Sequence, residues 1–501
     1  METLELLING FAVALQGQSL LACLIGVIGG VIIGALPGLG PSTGVAVLLP
    51  LTFGRNPTTA IIMLAGIYYG AMFGGAISST LINTPGDSAA VMTCVDGHPL
   101  AQQGRAGAAL GMASLASFIG GTISIIIFTF LAPKLAEAVL WFGPPEYFAL
   151  MVMGLSTVSG LTGKSPFKGM ASMLVGLALS TVGVDLVTGK PRFCFGRPEL
   201  FSGIEFITVA LGLFGIAELI NLAAGESGQL KRTEVKLSFR NMLPNKEDWG
   251  HSWPHILRGT FLGFFIGMLP GAGGTIASFI SYSMAKRRSK RPELFGKGAI
   301  EGVAAPESAN NAASVGAFVP LLALGVPGSA TTAVLLGALM MFNLRPGPLI
   351  FQRAPEFVWG LIASMYVGNV MLVALLLLFI AAFVRVLDTP VHLLVASVFV
   401  LILAGSFSLN VGIFEVGITV AFGAIGYVMK RLEYPPAPLV LALVLGHMLE
   451  NSFRQSLIMS RGDMSIFFTR PLSLILLAVA VAAVVIPAIR NYQRASASRS
   501  I

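Results

Sequence analysis

The sequence predicts an all-α polytopic membrane protein built from two homologous, inverted repeats. Pro-Gly-broken helices or re-entrant hairpins are expected at the midplane, with roughly 10 to 14 membrane elements in all. Three observations carry this expectation: an apolar, weakly charged composition, membrane-length uncharged tracts from end to end, and Pro-Gly breaks that return in the same order in each half.

Hydrophobic residues make up 55% of the chain and charged residues only 11%, against roughly 25% charged in an ordinary soluble domain. A helix needs about 20 mostly apolar residues to cross the hydrocarbon core. Uncharged tracts of that scale run from Leu6 to Gly54, Asn56 to Gly86, Ala106 to Pro133, Phe357 to Val384 and Pro471 to Ile489. The 59 glycines and 28 prolines would oppose helices in water, but membrane helices tolerate both where neighbours satisfy the freed backbone groups. A membrane barrel needs period-two alternation, and no such pattern is present. The opening "METLELL" is acidic and lacks a basic region, so the first apolar segment reads as a retained membrane element.

Cys23, Cys94 and Cys194 lie far apart, and His98, His251, His255, His392 and His447 show no metal-ligand grouping. Neither a disulfide framework nor a transition-metal site is expected. The formal charge of +8 concentrates in short loops. Its densest cluster, Lys286 to Lys297, reads as a cytoplasmic topology signal and not as a nucleic-acid surface.

The repeats rest on two motif pairs in the same order. "LPGLG" (Leu36 to Gly40) matches "LPGAG" (Leu269 to Gly273), and the stretch Gly74 to Val91 matches Gly316 to Val334 through Pro85-Gly86 and Pro327-Gly328. Residues 1–224 are therefore assigned to the first membrane repeat, 225–256 to a polar linker, 257–470 to the second repeat, and 471–501 to a terminal helix with a basic tail. The loop after the first break carries Arg55, whereas its counterpart carries the Lys286 to Lys297 cluster. Opposite charge in corresponding loops favours an inverted repeat, with that cluster and the C-terminal tail cytoplasmic.

A break at Pro37-Gly38 in an apolar run leaves backbone groups unpaired, which survives at membrane depth only inside protein or beside a wet cavity. A half-helix that starts there aims free N–H groups and a positive dipole end into the cavity, which suits a carboxylate. One that ends there offers carbonyls, which suit Na⁺. Hydroxyls and glycines cluster at all four breaks, giving the substrate-binding candidates Pro37, Gly38, Gly40, Ser42, Thr43, Thr84, Pro85, Gly86, Ser88, Pro270, Gly271, Gly273, Gly274, Thr275, Pro327, Gly328, Ser329 and Thr331. The bland reading of each alone is a kink, or a hydroxyl bonded to its own helix.

Asn83, Asp87, Asn310 and Asn311 are the ion-binding candidates. Asp87 is a carboxylate near membrane depth, or else the N-cap of the next segment. Adjacent buried amides at Asn310 and Asn311 need partners. Glu307, just after Pro306, reads as a first-turn interfacial carboxylate, and Glu301 as a partner of Lys297. Tyr68 and Tyr69 read as interfacial aromatics and "DGHP" (Asp96 to Pro99) as a turn.

With these stretches go "DGHPLAQQGRAGAALG" (Asp96 to Gly111), "GVDLVTGKPRFCFG" (Gly183 to Gly196), "APESANNAA" (Ala305 to Ala313) and "LGVPGSATTAVLLGA" (Leu324 to Ala338). Together they resemble the large membrane subunit of the tripartite tricarboxylate transporters, from about Gly26 to His447. The resemblance implies a bacterial inner-membrane secondary transporter without a cofactor, coupled to Na⁺ or H⁺. It also implies a small four-helix membrane subunit, a periplasmic solute-binding protein and a carboxylate substrate such as citrate. An anion channel, or a carrier working without a binding protein, is the competing function. An ATP-driven pump fails because Val158 stands where a phosphate loop needs its first glycine. An intramembrane enzyme lacks a nucleophile-base pair.

Overall fold

The computed structural model describes residues 2–139, 141–161, 166–185, 188–224, 239–269, 273–410, 412–482 and 485. The chain opens with α1 (Glu2–Ala14), α2 (Gly17–Ala35), α3 (Gly40–Leu48), α4 (Pro57–Ile82), α5 (Val91–Gln102) and α6 (Ala106–Val139). There follow α7 (Pro144–Leu161), α8 (Pro166–Ser180) and α9 (Phe206–Ala223), the last with a π-helical stretch at Leu211–Ile216. The second half holds α10 (Lys246–Gly267), α11 (Gly273–Arg288), α12 (Glu301–Gly316), α13 (Phe318–Leu324), α14 (Ala330–Met341) and α15 (Pro355–Arg385). It closes with α16 (Val391–Asn410), α17 (Ile413–Arg431), α18 (Pro436–Met459) and α19 (Pro471–Ala482). Among the described residues, 7 helices are long and apolar enough to cross a membrane: α2, α4, α6, α9, α15, α16 and α17. The protein is a mostly helical, polytopic membrane protein.

Glycines set the central packing. Gly26, Gly30 and Gly34 of α2 lie against Met63, Ile67 and Ala71 of α4, so the two helices run side by side in the same direction. A Cβ on Gly34 would stand 2.1 Å from the Ala71 carbonyl oxygen, the close backbone approach that small residues allow in membranes. The chain turns at Leu36–Leu39 and α3 returns along α2, with Gly44 against Ile33 and Gly29 against Leu48. In the second half, Gly259, Gly263 and Gly267 of α10 meet Ala305, Ala309 and Ala313 of α12. α11 folds back so that Ser281 donates to the Ala305 carbonyl at 2.7 Å and Ser278 to that of Pro306 at 3.3 Å.

The two hairpins start from opposite ends of the bundle. At one end Val13, Thr58 and the start of α15 meet at Gly360. At the other, Arg105 grips Asp248 with two bonds of 2.8 Å, and Gln103 donates to the Lys297 carbonyl. α4 and α5 cross between these ends with a break at residues 83–87, and α12 to α14 cross in the reverse direction with a break at 325–329. Asn56, Asn245 and Ser329 cap α4, α10 and α14, each worth about 1 kcal/mol. Around this centre, α7 and α8 of the first half pack on α18, while α16 and α17 of the second pack on α9.

Several local expectations change. "DGHP" is helical, inside α5, because Asp96 there accepts backbone N–H bonds from Gly296, Gly298 and Ala299. α10 begins at Lys246, within the stretch expected to be linker, behind a capping box of Asn245 and Asp248. Glu301 pairs with Arg291 and Ser289 and not with Lys297. Glu307 lies mid-helix and fully buried, and Tyr68 and Tyr69 are core residues.

Candidate functional site

A cavity of about 700 Å³ lies where the two hairpin tips and the two helix breaks meet, within the usual range of about 300 to 1,000 Å³ for small-molecule sites. Four helix starts face it. α3 contributes Gly40, Pro41, Ser42 and Thr43; the short turn ahead of α5 contributes Ser88 and Ala89; α11 contributes Gly273, Gly274, Thr275 and Ile276; α14 contributes Ala330 and Thr331. Gly38 and Gly40 hold positive φ of 84° and 57° at the first tip, and Gly273 holds 54° at the second. These left-handed conformations suit glycine. The first break touches the start of α11 across the cavity through Ser88 Oγ and Thr275 Oγ1 at 2.7 Å, and Tyr68 places its hydroxyl 3.4 Å from Ser329 Oγ.

The structure thus gathers Gly38, Gly40, Ser42, Thr43, Asp87, Ser88, Gly273, Gly274, Thr275, Ser329 and Thr331 around one space. Pro37, Gly86, Pro327 and Gly328 are buried, and their part is to shape the breaks. A Cβ on Gly86 would press on the Gly34 carbonyl, and one on Gly328 on that of Gly267. Asn83 ends α4 with φ 53° and is exposed, while Thr84 donates to the Ile82 carbonyl beside half-buried Pro85. Pro270 and Gly271 lie outside the described residues.

Asp87 both caps and lines. Its Oδ1 accepts from Ala90 N at 3.0 Å while the residue borders the cavity. Asn310 and Asn311 part company. Asn310 is fully buried against Gly274 at the start of α11, and neither its Oδ1 nor its Nδ2 has a partner among the described residues. Asn311 donates to Ser117 Oγ at 2.7 Å and to the Glu307 carbonyl at 3.2 Å.

Some lining residues have no signal in the sequence. Tyr68, Glu218, Lys430 and Tyr434 border the cavity, and the first reads only as one aromatic among many. Lys430 donates to Glu218 at 2.6 Å where α17 meets α9. Thr43 Oγ1 donates to the Phe214 carbonyl in the π-helical stretch of α9, where the wider turn frees backbone groups.

Helix starts ringing a cavity inside a polytopic bundle define a membrane transport protein. The chain belongs to the tripartite tricarboxylate transporter TctA family, matched over residues 20–441. It is 44% identical over 494 residues, 98% of each chain, to the "Uncharacterized 52.8 kDa protein in TAR-I ttuC' 3'region" of Agrobacterium vitis. To the "Uncharacterized protein in TAR-II ttuC' 3'region" of the same organism it is 43% identical over 232 residues, 46% of this chain and 96% of that one. No solved structure matches significantly. Family membership makes this a transporter and not an enzyme, consistent with a multi-pass protein of the bacterial inner membrane.

Proposed function

We propose that this chain is the large permease subunit of a binding-protein-dependent system that imports a small di- or tricarboxylate such as citrate, driven by a Na⁺ or H⁺ gradient. A small four-helix membrane subunit and a periplasmic solute-binding protein complete the system.

The observation that carries this reading is the convergence of four helix starts, two from each half, on one cavity. Each brings the N–H groups of its first turn, some of them already capped by Asp87 and Ser329, and a positive dipole end, worth up to about 2 kcal/mol to an anion in a partly buried site. Hydroxyls of Ser42, Ser88, Thr275, Ser329 and Thr331 add donors without adding charge. Lys430 is the one basic side chain among the described lining residues, and it is already paired with Glu218. A polycarboxylate would thus be held chiefly by backbone and hydroxyl groups, with a cation near Asp87 offsetting part of its charge. The unpartnered Asn310 amide beside Gly274 is a further donor and acceptor for that pair.

The opposed hairpins and the exchange of outer helices between halves support an inverted repeat, the architecture that suits alternating access. The cavity extends to the α17–α18 connection, at the end where α9 leads toward the linker. With the Lys286 to Lys297 loop cytoplasmic, this conformation is inward-facing.

The test is uptake of labelled citrate into proteoliposomes holding the chain and its small membrane partner, with and without the binding protein, under an imposed Na⁺ or H⁺ gradient. Accumulation that requires both the binding protein and the gradient is expected. Flux that only runs downhill and ignores both would replace the carrier by a channel.

A further inference from the structure

We propose that Glu307 is the proton-binding group of the transport cycle, so that a proton crosses with the carboxylate. This rests on the carrier reading above and names its coupling ion and the residue that binds it.

Glu307 sits in the middle of α12 with 1% of its surface exposed. Its Oε1 accepts from Thr93 Oγ1 of α5 at 2.5 Å, and its Oε2 lies 3.3 Å from Ser117 Oγ of α6. Among the described residues no Lys, Arg or His forms an ion pair with it. A carboxylate buried beside the membrane-length helix α6, with only hydroxyl partners among the described side chains, is strongly disfavoured as an anion. It resides there as the neutral acid, or as a carboxylate that a cycle exposes to water.

Titratable groups on the elements around it are otherwise engaged. Asp96 of α5 is held by the backbone of residues 296–299 and by Tyr282 of α11; His98 bonds the Thr80 carbonyl; Tyr68 of α4 reaches Ser329. Glu301 is paired with Arg291, and its charge is also felt by His255 of α10, which Arg258 opposes. Asp87, at the cavity, is the group whose charge reaches Glu307, and the Cys94 thiol, next to Thr93, in turn feels the charge of Glu307.

Two placements connect this acid to the cavity. Glu307 and Asn310 lie one turn apart on α12, so a rigid helix joins the carboxyl to the unpartnered amide beside Gly274. Thr93 lies on the helix that follows the first break, shortly after the cavity residues Asp87 and Ser88. Any movement of that break on loading or release therefore moves the hydroxyl that covers the acid. The proton binds to a Glu307 carboxylate oxygen from water at one end of the bundle and leaves to water at the other, in step with substrate.

The experiment uses the full chain with its small subunit and binding protein in proteoliposomes, and labelled citrate as probe. Wild-type protein should show counterflow without a gradient and accumulation under an inward pH gradient. In Glu307→Gln, isosteric with the neutral acid, pH-driven accumulation should fall at least about tenfold and the counterflow that remains should lose its dependence on pH. Glu307→Asp should restore part of it. Unchanged pH-driven accumulation in the Gln variant, or a wild type that responds to Na⁺ alone, would overturn the assignment. No counterflow in wild type would instead overturn the carrier reading. Should Glu307→Gln not fold, Thr93→Val serves: a shift of about one unit in the pH dependence of accumulation is expected, and no shift refutes the role.

Discussion

At the first break a Cβ on Gly86 would stand 2.0 Å from the Gly34 carbonyl, and at the second one on Gly328 would stand 2.8 Å from that of Gly267. Both hairpin tips use a left-handed glycine, Gly40 and Gly273, next to Asp87 and Ser329 respectively. The side chains then diverge. Asp87 puts a carboxylate where Ser329 puts a hydroxyl, and the aromatic pair Tyr68-Tyr69 occupies the position ahead of Gly74 that the amides Asn310-Asn311 occupy ahead of Gly316. The left-handed glycines and the helix starts are present twice, while the carboxylate, the aromatic pair and the amide pair are each present once. On the function proposed above, a near-symmetric cradle serves the substrate while the coupling chemistry stays on one side.

The largest effect should come from breaking what the two units share. Gly34→Leu and Gly263→Leu each drive a side chain into a facing backbone, at a cost above about 3 kcal/mol. Neither variant should give a monodisperse peak on size-exclusion chromatography, and a folded Gly34→Leu protein would show the contact to be dispensable.

Next comes the exchange of what differs. Asp87→Ser keeps a good N-cap, so the thermal midpoint should correspond to a loss under about 1 kcal/mol, while uptake falls at least about tenfold through loss of the cation partner. Ser329→Asp adds a second carboxylate to the cradle and should abolish substrate binding in calorimetry. Full uptake by both variants would remove the asymmetry from the mechanism.

Asn310→Ala should weaken uptake about tenfold in KM without loss of stability, because it deletes two buried polar atoms that lack partners. A marked drop in the thermal midpoint would give Asn310 a structural role instead. The smallest effect belongs to the mouth. Lys430→Met breaks an ion pair whose lysine is half exposed, so a change of about twofold in KM is expected, shrinking further in high salt.

The membrane class was legible because apolar length acts locally, and α2, α4 and the helix ahead of Gly325 end beside the Pro-Gly pairs at 37–38, 85–86 and 327–328. Ser42, Ser88, Thr275 and Ser329 stand together around one cavity, beside helix starts that their local sequence marks. Glu307 was not legible: it follows Pro306, a local first-turn signal, yet α12 begins at Glu301 and carries it into the core. The helical state of "DGHP" was missed for the converse reason, since three backbone donors some 200 residues away override its turn propensity. Lys430 and Glu218 could not be paired without the exchange of outer helices between the halves.

The Asp96 carboxylate has a consequence for biogenesis. Its bonds to Gly296, Gly298, Ala299 and the Tyr282 hydroxyl all come from chain made long after it. Until the ribosome has passed residue 299, the first half carries an unsatisfied acid in what will become its interior. That half alone is therefore expected to be open to proteases. A gene split within the linker should therefore yield two fragments, each short-lived alone and each protected by the other.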